Sequence, residues 1–145
     1  MSVFTPVPES VLADWLKDYA IGRLVELKGI SAGVQNSNFF VTTTLGRYVL
    51  TLFEGIPRAE LPYYLHLMAH LARHGLPVPG PIANRHNEYL GTLQERPAAL
   101  VVRLSGSSEM NPGLPHCEKV GAMLAGLHLA GQSYGRRQEN PRGAA

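Results

Sequence analysis

Between positions 29 and 38 the chain reads Gly-Ile-Ser-Ala-Gly-Val-Gln-Asn-Ser-Asn. Glycines let such a backbone turn until successive N–H groups converge, and small side chains leave room among them for an anion. Anion binding is one chemistry open to this run, and an ordinary polar hairpin turn is the other. No Gly-Lys-Ser/Thr follows and the spacing Gly-x-Gly-x-x-Gly is absent, which excludes a Walker loop and a dinucleotide loop. Downstream, Val49 and Thr51 stand two apart in a β-rich stretch, so alternation puts both on one strand face.

Acid–base and metal chemistry are less well provided for. The chain holds only two aspartates, Asp14 and Asp18, four residues apart on one predicted helix. His66, His70 and His74 have the helical spacing that aligns imidazoles for a metal, but no carboxylate or cysteine stands at matching spacing. They are expected on a solvated face. His128 has no sequence neighbour to orient it as a base and reads as a packed helix residue, and Cys117 reads as a small buried hydrophobe. Arg136, Arg137 and Arg142 are expected in a solvated tail.

The elements that must position these residues are legible from periodicity. Val11, Leu12, Trp15, Leu16 and Tyr19 predict an amphipathic helix over 8–19. Val-, Thr-, Tyr- and Phe-rich stretches predict strands over 24–27, 37–45 and 48–53, the last two joined by a tight turn at Leu45, Gly46 and Arg47. Leu61, Tyr64, Leu65, Met68 and Leu71 form a second helical stripe, which Gly75 caps and three prolines prevent from continuing. Strands are expected over 81–85, 89–93 and 98–104, the last buried on both faces. A connector and a helix over 116–130, marked by Cys117, Val120, Leu124 and Leu127, complete the order. Hairpins mixed with helices predict an α+β arrangement.

A chain of 145 residues with 45% hydrophobic and 17% charged residues is long enough for one globular core. A net charge of +2 with scattered cations gives no reason to expect nucleic acid as a partner. A single cysteine excludes an internal disulfide, and no apolar run is long enough to span a bilayer. A soluble, cytoplasmic protein with no membrane partner is expected.

In protein kinases the strand after the glycine-rich hairpin carries a small residue over adenine and, two positions on, a Lys that holds the phosphates. Val49 and Thr51 occupy the matching positions, and Thr51 supplies no cation. The strings 29–41 (Gly-Ile-Ser-Ala-Gly-Val-Gln-Asn-Ser-Asn-Phe-Phe-Val), 48–54 (Tyr-Val-Leu-Thr-Leu-Phe-Glu), 75–79 (Gly-Leu-Pro-Val-Pro) and the helix 120–128 together resemble the bacterial homoserine kinases of the aminoglycoside phosphotransferase/choline kinase-like superfamily. The opening Met-Ser-Val-Phe-Thr-Pro is also similar to that family.

The resemblance implies a protein-kinase-like ATP-covering lobe over 21–106 and the start of the large lobe over 107–131, after the N-terminal helix in 1–20 that periodicity predicts and before an apolar-poor segment over 132–145 expected as a mobile tail. It implies ATP and magnesium as cofactors and L-homoserine as substrate, in threonine biosynthesis. A kinase of choline, an aminoglycoside or a sugar, and a non-catalytic nucleotide-binding or interaction module, stand as alternatives. Gly33, Gln35, Asn36, Ser37 and Asn38 would cover the phosphates, with Val49 and Thr51 on the strand behind them. Val102, Arg103 and Leu104 would meet the adenine edge. Glu60 is a weak candidate for an ion pair, its Lys partner being absent. The family's His-Gly-Asp…Asn loop and later metal-binding Asp have no match up to residue 145, so the chain alone is expected to be inactive, and its last helix is expected to expose apolar area that favours association.

Overall fold

Strict alternation in β2 (Asn36–Thr43) sets the architecture. Ser37, Phe39, Val41 and Thr43 are buried, whereas Asn36, Asn38, Phe40 and Thr42 are only partly covered. One face of the strand therefore belongs to a core and the other stays accessible. In this computed structural model, which describes residues 3–141 and 143, β2 pairs with β1 (Leu24–Gly29) on one side and β3 (Arg47–Phe53) on the other. β5 (Arg96–Val102) pairs with β3, and β4 (Gly91–Leu93) with β5, so the sheet runs β1-β2-β3-β5-β4 with every pair antiparallel. Gln94 and Glu95, both at positive φ, make the two-residue turn between β4 and β5.

The core lies on one face of this sheet. Phe39, Val41, Leu50, Leu52, Leu93, Ala98 and Leu100 pack with Leu12, Leu16, Tyr19 and Ile21 from the N-terminal region. Leu50, Leu52 and Leu100 lose all solvent contact, each stabilising the fold by roughly 1.5–3 kcal/mol. The N-terminal helix is shorter than its periodicity suggests: α1 (Glu9–Trp15) tightens into a 3-10 turn at Leu16–Asp18. Leu12, Leu16 and Tyr19 carry the buried stripe, and Val11 is turned out to solvent.

α2 (Leu61–Arg73) buries Leu61, Leu65 and Ala69 outside that core cluster, and Gly75 at φ +78° ends it as expected of a left-handed cap. The strand expected over 81–85 is a correction. Only a bridge from Pro81 to Val101 forms, flanked by Ile82 N–H donating to the Leu100 carbonyl at 2.8 Å. Proline removes a ladder donor, and the Asn84 side chain then accepts from the His86 and Glu88 N–H groups, closing a turn instead. The strand expected over 89–93 shortens to three residues, and β5 ends at Val102. Burial on both faces holds only for Ala98, Ala99 and Leu100, since Val102 and the residues after it emerge into solvent.

α3 (Leu114–Gly131) buries none of its side chains among the described residues. Cys117 and His128, expected to be packed, are exposed because no layer covers this helix. Its C-terminal end is held by α2: His70 Nε2 hydrogen-bonds the Ala130 carbonyl at 2.8 Å, and Gly126 lies so near Leu76 that an added Cβ would come within 3.1 Å of it. The three histidines accordingly do not share a solvated face. His66 and His70 are half-buried, against Tyr89 and Tyr134 respectively, and only His74 is exposed. Residues beyond α3, expected to trail as a tail, lie along α2, where the Tyr134 hydroxyl donates to the Tyr63 carbonyl at 2.7 Å and Gln138 to the Tyr64 hydroxyl at 3.1 Å. Arg136 and Arg137 are exposed, whereas Arg142, Met1 and Ser2 lie outside the described residues.

Candidate functional site

The loop between β1 and β2 is closed at its base by Ile30 N–H donating to the Asn38 carbonyl at 2.9 Å. Gly33 sits at φ +132° within it, a conformation that side-chain-bearing residues rarely adopt. Gln35 is exposed beside it, and the Asn36 side-chain oxygen accepts from Glu54 N–H at 3.4 Å, tying the loop's exit to the end of β3.

Asn38 and Thr51 are direct cross-strand partners on the accessible face, and the Thr51 hydroxyl donates to Asn38 Oδ1 at 2.8 Å. The amide nitrogen of Asn38 donates to the Asn36 carbonyl at 3.4 Å and lies 3.4 Å from where a Cβ on Gly33 would stand. The next pair along the same face is Phe40 with Val49, followed on β5 by Val101. Loop, amide, hydroxyl and apolar floor thus line one surface of the sheet.

Ser37, grouped with the loop by sequence, points the other way. It is fully buried on the core side, accepts from Phe4 N–H at 2.8 Å and Thr5 N–H at 2.9 Å, and donates to Glu54 Oε1 at 2.6 Å. Glu54 in turn pairs with Arg96 at 3.2 Å. Ser37 acts on the loop from behind, by fixing the strand that carries Asn36 and Asn38.

At the far end of the same face the chain leaves the sheet through Val102, Arg103 and Leu104. Val102 N–H donates to the Gly80 carbonyl at 2.9 Å and Arg103 N–H to the Arg47 carbonyl at 3.2 Å, while Leu104 N–H, exposed, has no partner among the described residues. The Arg103 guanidinium lies 3.8 Å from the centre of the Phe40 ring. Phe40, which the loop motif does not single out, lies on this face because it follows Asn38 by two residues on an alternating strand.

No lysine stands on β3 beside the loop, but Lys28 of β1, the cross-strand partner of Phe40, shares this exposed face, as does Glu26 beside Thr42. Glu54 belongs to the core side, and Glu60, just before α2, makes no ion pair among the described residues. Asp14 is exposed on α1, where the hydrogen bond and charge of Lys17 at 2.7 Å lower its pKa. No group of three or more His, Cys, Asp or Glu side chains suited to a metal occurs among the described residues. No described helix is long and apolar enough to cross a membrane.

Residues 26–144 match the family model described as the phosphotransferase enzyme family. The chain is 53% identical to a homoserine kinase of Burkholderia multivorans over 98% of its length, and 52% identical to one of Paraburkholderia xenovorans over the same share. It spans 43% of the length of each. Among solved structures it resembles an amicoumacin kinase in complex with AMP-PNP and calcium (TM-score 0.72, 13% identity, 94% of this chain and 43% of that one). It also resembles a spectinomycin phosphotransferase in complex with ADP (TM-score 0.69, 14% identity, 87% of this chain and 39% of that one). At such identities these two share the fold, an antiparallel sheet with packed helices. With a family match over most of its residues and half of its positions identical to known kinases, the chain belongs to the phosphotransferase enzyme family.

Proposed function

We propose that this chain forms the nucleotide-covering lobe of an ATP-dependent kinase that phosphorylates the hydroxyl of a small metabolite, L-homoserine to O-phospho-L-homoserine, in threonine biosynthesis. The observation that carries the reading is 53% identity to a homoserine kinase along 98% of the chain. The antibiotic kinases share the fold at 13–14% identity, so the same evidence weighs against an aminoglycoside-like acceptor.

On this reading the β1–β2 loop, with Gly33, Gln35, Asn36 and Asn38, covers the phosphates, and Val49 with Phe40 forms the apolar surface for the base. Because the Val102 and Arg103 N–H groups already have acceptors, the Leu104 N–H is the donor left for the adenine edge. Ser37 positions the loop without touching the ligand. Phosphoryl transfer rests on alignment and charge neutralisation, and this lobe contributes the alignment of the nucleotide and its shielding from water. Magnesium would neutralise the phosphates, but the donor set at the loop does not fit it: Asn38 and Thr51 offer an amide and a hydroxyl, the carboxylate on the same sheet face, Glu26, pairs with Thr42, four residues along β2 from Asn38, and both aspartates lie in the N-terminal helical region 14–18. No metal ligand is assigned to these residues. Association through the exposed face of α3 is the partner reading that accompanies this proposal.

The test joins residues 1–145 to the remainder of the Burkholderia multivorans homoserine kinase and follows ADP release. Homoserine-dependent turnover well above that with choline, spectinomycin or water is expected. Turnover with another alcohol in preference to homoserine overturns the substrate, and no ATP binding by either chimera or chain overturns the lobe assignment.

A further inference from the structure

Thr51 stands where a phosphate-holding lysine would be, and its hydroxyl is not idle. It donates to Asn38 Oδ1 at 2.8 Å across the β2–β3 ladder. An asparagine amide can be turned either way in its site, and which end faces the loop decides whether it offers donors or an acceptor. One contact decides it here, and a second holds it. The Asn36 carbonyl accepts only, so the amide nitrogen must lie on that side, and the Thr51 hydroxyl then meets the oxygen. The nitrogen is thereby directed beneath Gly33, where the absence of a side chain at φ +132° keeps the approach open. One of its two N–H groups goes to the Asn36 carbonyl at 3.4 Å, and the other has no acceptor among the described residues. The backbone of the same residue closes the loop through Ile30 N–H.

We infer that Thr51 is a positioning residue that holds the Asn38 amide in the orientation the Asn36 carbonyl sets, nitrogen toward the loop, so that a neutral Asn38 N–H, where a lysine at position 51 would otherwise reach, donates to a nucleotide phosphate. This rests on the nucleotide reading above. Thr51 touches no ligand itself. A hydrogen bond to a charged phosphate oxygen is the stronger kind, and losing its orientation forfeits it while leaving base contacts at Phe40, Val49 and Leu104 intact.

The experiment measures ATP, ADP and adenosine affinity of the full 145-residue chain by titration calorimetry, with thermal unfolding of each variant alongside. Thr51→Val, which keeps the shape and removes the hydroxyl, is expected to weaken ATP and ADP by about tenfold and to leave adenosine unchanged. Thr51→Ser is expected to restore the wild-type values. Asn38→Asp, which keeps the acceptor for Thr51 but removes both donors, is expected to lose ATP more heavily still. Should Thr51→Val fail to fold, the contrast between Thr51→Ser and Asn38→Asp decides. Equal loss of adenosine and ATP, or no loss of ATP, overturns the inference while the nucleotide reading stands. A wild-type chain that binds ATP no better than adenosine also overturns it, and one that binds neither overturns the nucleotide reading with it.

Discussion

The Ser37 hydroxyl donates to Glu54 Oε1 at 2.6 Å from a position with no solvent contact, directly behind the loop whose residues flank it in sequence. The same oxygen receives the Phe4 and Thr5 N–H groups, so one side chain joins the N-terminal segment, β2 and the end of β3. Removing it strands two backbone donors and a carboxylate oxygen. Ser37→Ala is therefore expected to cost about 1–3 kcal/mol of folding stability, read as a lowered urea midpoint. Arg96→Ala, which removes a half-exposed side chain and leaves Glu54, 14% exposed, still bonded to Ser37, is expected to cost less than Ser37→Ala.

Two glycines at similar positive φ differ in what surrounds them. At Gly22, φ +86°, a Cβ would collide with Thr44 Oγ1, whereas at Gly75, φ +78°, it would meet nothing within 4 Å. Gly75→Ala is expected to cost about 1 kcal/mol, the backbone penalty alone, and Gly22→Ala distinctly more because Thr44 must also move. Equal denaturation midpoints for the two variants would contradict this.

Tyr19 is 3% exposed and its hydroxyl has no hydrogen-bond partner among the described residues. Burial first, and then the charges of Asp18 and Glu88, push its pKa well above the usual tyrosine value. The unfolded chain ionises this group near pH 10, so the stability it contributes is complete below that pH and is lost as pH rises toward the folded-state value, by up to about 1.4 kcal/mol per unit. Tyr19→Phe is expected to be neutral or slightly stabilising at pH 7 and to flatten the decline above pH 10 in a pH series of unfolding midpoints.

α3 is attached at one end and uncovered along its length. His70→Ala removes the 2.8 Å bond to the Ala130 carbonyl and the 3.2 Å contact with Ser133, and is expected to speed amide exchange across the C-terminal half of α3 while leaving the sheet protected. Leu124 and Leu129 are 49% and 67% exposed. Replacing both with Lys is expected to reduce concentration-dependent association in sedimentation without lowering the unfolding midpoint, since neither side chain supports the core.

How far each feature was legible depended on whether neighbours along the chain or across the fold decided it. The strands expected over 24–27, 37–45 and 48–53, found with shifted ends at 24–29, 36–43 and 47–53, the stripe of α2 and its cap at Gly75 follow from period and local sterics, so the sequence by itself determined their existence and order, together with the loop between β1 and β2 and the placing of Val49 and Thr51 on one face. Motif resemblance likewise carried the family. Only the tertiary structure decided that Ser37 turns inward while Asn36 and Asn38 face out, because which side of β2 is core depends on α1 docking there. The loss of the strand after Pro81 was a local effect by contrast, since Pro81 lacks the ladder donor and Asn84 closes a turn. Thr51 could be read as a missing lysine from sequence alone, but its meeting with Asn38 required the β2–β3 register, which a one-residue slip would have destroyed.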